Sequence, residues 1–318
     1  MNGKRILALL TVLMLICCNT SCKPQENEEL QENASVIQID PDEGAINTSS
    51  QSAMLYFANE DYSMLVGKPT EIQVPVSSRA EYSILEALIY GPQTTSADFN
   101  AIINPQTKIV DIEESQDYIS ITLSEDFLDW SFITATNLSA EAMNRIKKLS
   151  VYSIVNSIVE ASVCKKVQIL IDKEGSRTGQ RITLSEVGMG GSGILEPLGR
   201  SGSLILSAEN TLVNIFEAIT AEDYSGLYRY IAYIDENDNQ RPLENTFSVW
   251  MQSKNIGIEE YRIIEVVETV DQQSAILMVN YTMNISGEGR KEMNNTPIKL
   301  VRENGIWKIT YTMVEALL

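Results

Sequence analysis

Residues 78–92 read SRAEYSILEALIYGP, a helix written with its own start and stop. Ser78 stands where it can cap the first turn, and Glu81, three residues on, closes a capping box. Tyr82, Leu85, Leu88 and Ile89 recur at helical spacing, which makes one side apolar. Gly91 and Pro92 end the helix, because glycine accepts the left-handed turn and proline cannot continue a helix. The outward side carries Arg79, Glu86 and Tyr90, which are either solvated or a partner surface.

Working outward, Ala53 to Phe57 forms a short strand and Glu71 to Val76 a second one before the helix. Beyond the helix, Lys108 to Ile112 and Tyr118 to Leu123 are strand-like runs separated by a polar turn. In the latter, Ile119, Ile121 and Leu123 alternate with Ser120 and Thr122, as a sheet with one buried face requires. A second helix starts near Ser139, with Leu138 and Met143 as its hydrophobic staple, and carries Val151, Ile154, Val155 and Ile158 on one side. Val167, Ile169 and Ile171 form a closing strand, with Cys164 a small buried residue at its start. The order helix, strand, strand, helix, strand predicts an α+β fold with both helices on one sheet face.

EALIYGP at 86–92, INPQTKI at 103–109, ITLSEDF at 121–127, IVNSIV at 154–159 and VQILID at 167–172 together resemble the GerMN domain of the sporulation and germination family. The resemblance covers residues 53–200, and Ser157 stands where the family is expected to carry threonine. It implies a non-enzymatic envelope domain, similar to the ring-building motif of sporulation channel proteins, that works by protein contact. It supplies no catalytic residues. Ser124, Glu125 and Asp126 accordingly read as turn and capping residues at a strand end, not as acid/base groups.

Ahead of this domain, Lys4 and Arg5 precede an apolar run from Ile6 to Cys18, the pattern of an export signal. Asn19-Thr20-Ser21-Cys22 resembles the lipobox of bacterial lipoproteins, which implies lipidation of Cys22 and anchoring at the outer face of the cytoplasmic membrane. The other reading is an ordinary secretory signal cut nearby. Residues 22–52 are rich in Glu, Gln, Asn and Ser and read as an acidic flexible tether. Four segments follow: signal 1–21, tether 22–52, GerMN-like domain 53–200 and a second domain 204–318.

The formal charge is -19, which repels nucleic acid and anionic lipid headgroups, so binding to DNA or RNA is not expected and the membrane is a partner only through the lipid anchor. The chain contains no histidine, which excludes Ser-His-Asp and Cys-His nucleophile pairs and the commonest zinc constellations within it. No cofactor, metal or catalytic residue is expected. Asp235-Glu236-Asn237-Asp238-Asn239 hints at calcium, but Gln240 stands at the turn glycine and Thr246 at the bidentate glutamate of such a loop.

The glycines at 188, 190, 191 and 193 match the spacing of a dinucleotide loop only superficially, because no helix opens after them, and residues 188–202 read as a flexible exit. After them come helices around Leu212, Ile215, Phe216 and Ile219, from Thr220 and Asp223 onward, and around Phe247, Trp250 and Met251. Strands are predicted at 261–270, 274–285, 298–303 and 307–314, with Asn304-Gly305 as a tight hairpin. Helices followed by an antiparallel sheet are similar to the cone-shaped nuclear-transport-factor-like fold. Trp250, Tyr281 and Tyr311 either line a pocket in that cone or fill its core. Three functions are open at this point: assembly with envelope or sporulation proteins, including oligomers; small-ligand binding in the cone; and hydrolysis of envelope polymers.

Overall fold

The computed structural model describes residues 47–93, 99–135, 138–287 and 289–318. It opens with an antiparallel hairpin of β1 (Thr48–Ala58) and β2 (Leu65–Pro75), in which Thr48 faces Pro75 and Ala58 faces Leu65. The Asn59 carboxamide closes its turn by accepting from the N–H groups of Ser63 and Met64. β1 exceeds the predicted 53–57 at both ends and begins inside the segment expected to be tether, while β2 starts at Leu65, well before the predicted 71–76, and ends at Pro75 with Val76 in the turn. Residues 48–52 escape recognition as strand because all five are exposed; their order comes from pairing with β2.

The helix that decides this half, α1 (Ala80–Tyr90), starts one residue later than a Ser78 cap requires. The Ser78 N–H bonds to the Pro75 carbonyl in the turn leaving β2, so Arg79 becomes the N-cap and no side chain caps the helix. Glu81 pairs with Arg79 instead of closing a capping box. Gly91 ends the helix as expected, but at φ 91 and ψ 177, a conformation only glycine adopts readily. Then follow β3 (Ile109–Glu114), β4 (Ile119–Ser124), α2 (Ala140–Ala161) and β5 (Lys166–Asp172). β3 and β4 are antiparallel, while β4 and β5 are parallel and joined through α2. Ser139 caps α2 by accepting from the Ala142 N–H. The helix–strand–strand–helix–strand order of an α+β domain is therefore present. Ile84, Leu85 and Leu88 of α1 and Val151, Ile154, Val155 and Ile158 of α2 share one core with β1, β4 and β5. Cys164 is buried just ahead of β5.

The glycine-rich join is not the flexible exit expected. Leu184 donates to Gly193 and Leu195 to Ile182, making an ordered excursion that buries Ile182, Val187 and Leu195. Two short strands, β6 (Gln180–Arg181) and β7 (Leu198–Gly199), pair with β5 on its way in and out. Glu186 holds the excursion by bonding Lys173 at 2.6 Å and the Thr183 N–H at 2.7 Å; these partners pull its carboxyl down to about 2. The glycines serve turns and a close approach to α2, and Asn156 then pins Ser201 through both its backbone groups.

In the second half, α3 (Ala208–Thr220), α4 (Tyr224–Tyr228) and α5 (Glu244–Lys254) precede a sheet of β8 (Ile256–Glu268), β9 (Ser274–Ile285), β10 (Gly289–Glu303) and β11 (Ile306–Ile309). The strand order is β11-β10-β9-β8, all antiparallel. Asp223 alone caps α4, and Thr220 is the last residue of α3 rather than part of that start. Asn304 and Gly305 both have positive φ, as the hairpin reading required. The strand predicted at 307–314 stops at Ile309. Thr310 caps a terminal helix, α6 (Tyr311–Leu317), by accepting from the Met313 N–H. Val314 and Leu317 of α6 enter the core formed by α3, α5 and the sheet. Ile46 to Leu318 form one compact unit, and the halves meet where Leu206 donates to the Leu65 carbonyl at 2.7 Å and Arg229 pairs with Asp61 at 2.9 Å.

Candidate functional site

Because α1 buries Ser83, Ile84, Leu85 and Leu88, the helical repeat turns Glu86 and Tyr90 outward as an i, i+4 pair. Tyr90 is 77% exposed. On one flank a groove of about 380 Å³ runs between α1 and the hairpin, walled by Leu55, Phe57, Ile72 and Ala87 with Glu71 and Lys68 at its rim. On the other flank a groove of about 610 Å³ is walled by Tyr82, Ile89, Pro105 and Ile109. Glu86 and Tyr90 line both, so the ridge they form separates two apolar depressions. A tyrosine with a wettable hydroxyl and an apolar ring, beside concave apolar walls, is suited to contact rather than to bond-making.

Arg79 does not join this ridge. Its guanidinium is engaged at the helix start by Glu81 at 3.3 Å and Glu114 at 3.0 Å, and these carboxylates raise its already high proton affinity. The three aromatic residues proposed for a cone pocket are also divided. Trp250 and Tyr311 meet edge to face at 5.3 Å with Phe247 beside both, whereas Tyr281 lies against Phe216 and reaches the Leu317 carbonyl. They therefore pack core and hold α6 in place instead of lining one cavity, and burial together with Glu315 pushes the Tyr311 hydroxyl up to about 12. Ser124 accepts from the Lys108 N–H and donates to Asp126, a turn arrangement. Asp235 accepts from the N–H groups of Asn237 and Asn239, which orders that loop from within. Cys22 and the signal segment lie outside the described residues, and among the described helices none is long and apolar enough to cross a membrane.

One constellation went unread in the sequence. Tyr56 of β1 donates its N–H to Ser157 Oγ at 3.1 Å, and its carbonyl accepts from Ser153 Oγ at 2.6 Å. Its hydroxyl donates to Glu160 at 2.5 Å and accepts from Arg200 at 3.2 Å. Burial first, then the Glu160 bond, lifts that hydroxyl to about 12, so it stays protonated. The available signal was a polar stripe on α2, Ser153, Ser157 and Glu160, running at helical spacing beside the apolar one.

The first half carries a family signature. Residues 54–175 match the Germane domain, described as sporulation and spore germination. The GerMN resemblance thus holds over α1, β3, β4, α2 and β5, where the ridge is built, and the match ends at residue 175, ahead of β6 and β7. Among solved structures, the tandem GerMN domains of the sporulation protein GerM from Bacillus subtilis match with 14% identity and a TM-score of 0.31, covering 50% of this chain and 46% of that one. This chain therefore spans less than half of that tandem structure. A Clostridium perfringens protein described as a candidate lipoprotein matches at 20% identity and a TM-score of 0.27, over 49% of this chain and 89% of that one. An NTF2-like protein of unknown function from Cytophaga hutchinsonii matches at 12% and 0.23, over 32% of this chain and 85% of that one. No curated protein matches the sequence.

Proposed function

We propose that this chain is a lipid-anchored envelope protein that acts by protein–protein assembly in sporulation or germination, without enzymatic activity, and that the Glu86–Tyr90 ridge is a contact surface of its Germane domain. The observation that carries this reading is Tyr90, held 77% exposed between two apolar grooves. An exposed aromatic flanked by concave apolar walls is the composition of an interface anchor, since burying it on association removes a large apolar area from water. In this reading lipid on Cys22 ties the protein to the outer face of the cytoplasmic membrane, and the acidic segment after it holds the Germane domain clear of the surface. Its partners are other envelope or sporulation proteins.

The ridge is tested with a photo-crosslinker at Glu86 in sporulating cells. Tyr90→Ala should leave stability within about 0.5 kcal/mol, because the side chain is exposed, and should remove the crosslinked species. An unchanged crosslinking pattern overturns the assignment. The anchor is tested separately by radioactive palmitate, which should label the wild-type chain and not Cys22→Ser; an unlabelled wild-type chain removes it.

A further inference from the structure

Among the described residues of the second half, six of the ten exposed large apolar side chains lie on or beside β8, the others being Tyr233, Ile234, Leu243 and Val249. Tyr261, Ile264, Val266 and Val267 lie on β8, Val270 in the turn after it, and Ile276 opposite Val267 on β9. Ile264 and Val267 are 50% and 53% exposed. Strand alternation sends Val266, opposite buried Leu277, and Val267, opposite exposed Ile276, to the two faces of the sheet, so exposed apolar side chains flank this edge on both sides. β8 also ends its sheet, so among the described residues no strand lies beside its outer side. A bulge interrupts β8 between Ile263 and Glu265, but from Glu265 to Glu268 it pairs regularly with Met278 to Ala275. The regular piece of free edge is therefore Glu265-Val266-Val267-Glu268, acid, apolar, apolar, acid.

We propose that this edge takes an extended segment of a partner protein as an added strand, and that the segment carries a quartet of cation, apolar, apolar, cation. Main-chain hydrogen bonds would give affinity to any extended segment, and the residues directly opposite give specificity. A lysine or arginine opposite each glutamate, and an apolar residue opposite each valine, satisfies all four positions. The pattern reads the same from either end, so strand direction does not alter it. A second copy of this edge is the wrong occupant: antiparallel self-pairing sets Glu265 against Glu268 twice, and like charges directly opposite destabilise. The chain has one quartet of the required kind, Lys299-Leu300-Val301-Arg302, and it is already paired within β10 to both neighbouring strands. Arg302 lies near enough to feel Glu268, but its guanidinium is bonded to the Gly67 and Gly305 carbonyls. This surface lies apart from the α1 ridge and stands or falls independently of it.

The test uses the full chain and two peptides of about ten residues, one with a Lys-Val-Val-Lys core and one with Glu-Val-Val-Glu. Fluorescence anisotropy should show the lysine peptide binding at least about ten-fold more tightly, the sum of two attractive pairs replacing two repulsive ones. Hydrogen exchange should slow at residues 264–268 only with that peptide. The double variant Glu265→Lys/Glu268→Lys should reverse the preference, an outcome that loss of folding cannot mimic. Equal binding of the two peptides, protection elsewhere, an unreversed preference, or a wild-type dimer that itself protects 264–268 overturns the proposal.

Discussion

Replacing Gly188 by alanine is expected to lower the free energy of unfolding by about 3 kcal/mol or more, whereas the same change at Gly190 loses about 1–2 kcal/mol. Both glycines occupy the left-handed region, at φ 69 and φ 68. An L side chain is strained there by the approach of its Cβ to the backbone, and that part is common to both sites. The surroundings differ. A Cβ on Gly188 would stand 2.1 Å from the Asn144 carbonyl oxygen of α2, with the backbone carbon next nearest at 2.7 Å, while one on Gly190 meets nothing within 4 Å. Backbone inside a helix cannot turn aside as a side chain can, so the excursion must lift away. It carries fully buried Val187 with it. The difference between the two variants, measured from chemical-denaturation midpoints at unchanged m-value, isolates the contact with α2. Equal losses would mean that the excursion does not press on the helix and that the flexible-exit reading was the better one.

Local sequence does not separate these glycines. Glycines at 188, 190, 191 and 193 look alike in a string of letters, and only the helix brought beside the first from more than forty residues away separates them. By contrast, α1 was legible because its information is local: apolar spacing, and Gly91-Pro92 at its end. Its N-cap was misread because the competing bond, Ser78 to Pro75, belongs to the turn from β2. The last strand was misread for another reason. Trp307, Ile309, Tyr311 and Met313 alternate with polar residues, a pattern fully compatible with a strand, yet Thr310 caps a helix and the burial passes to Val314 and Leu317. Of the candidate site, the outward position of Glu86 and Tyr90 followed from helical phase. The grooves did not, since one wall is β2 from Lys68 to Gln73, a strand whose proline, glycine and charged residues hide its period.

The buried serines of α2 make the second large prediction. A two-stranded hairpin has two free edges, and a free edge in the interior leaves backbone groups without water or partner. Tyr56 faces Gly67 across the hairpin, and side chains take up both outward groups of Tyr56 and the outward carbonyl of Gly67. On the β1 side Ser157 accepts the Tyr56 N–H, and Ser153 donates to its carbonyl; on the β2 side Arg302 donates to the Gly67 carbonyl. Both serines are at most 1% exposed, so no water replaces a missing hydroxyl. Ser157→Ala strands a buried N–H and should lose about 1–3 kcal/mol. Ser153→Ala should lose less, because a carbonyl tolerates under-satisfaction better than an N–H. The double variant should depart from the sum of the singles, since Ser157 Oγ also donates to the Ser153 carbonyl and the groups act as one network. Ser157→Thr keeps the acceptor and should lose less than Ser157→Ala even though its methyl must be fitted into a filled core. Denaturation midpoints of the four variants check the order, and hydrogen exchange at Tyr56 reports the bond itself. If Ser157→Ala leaves that amide as protected as in the wild type, the hydroxyl is not what holds β1 against α2, and apolar packing in the core of the first half must account for the attachment instead.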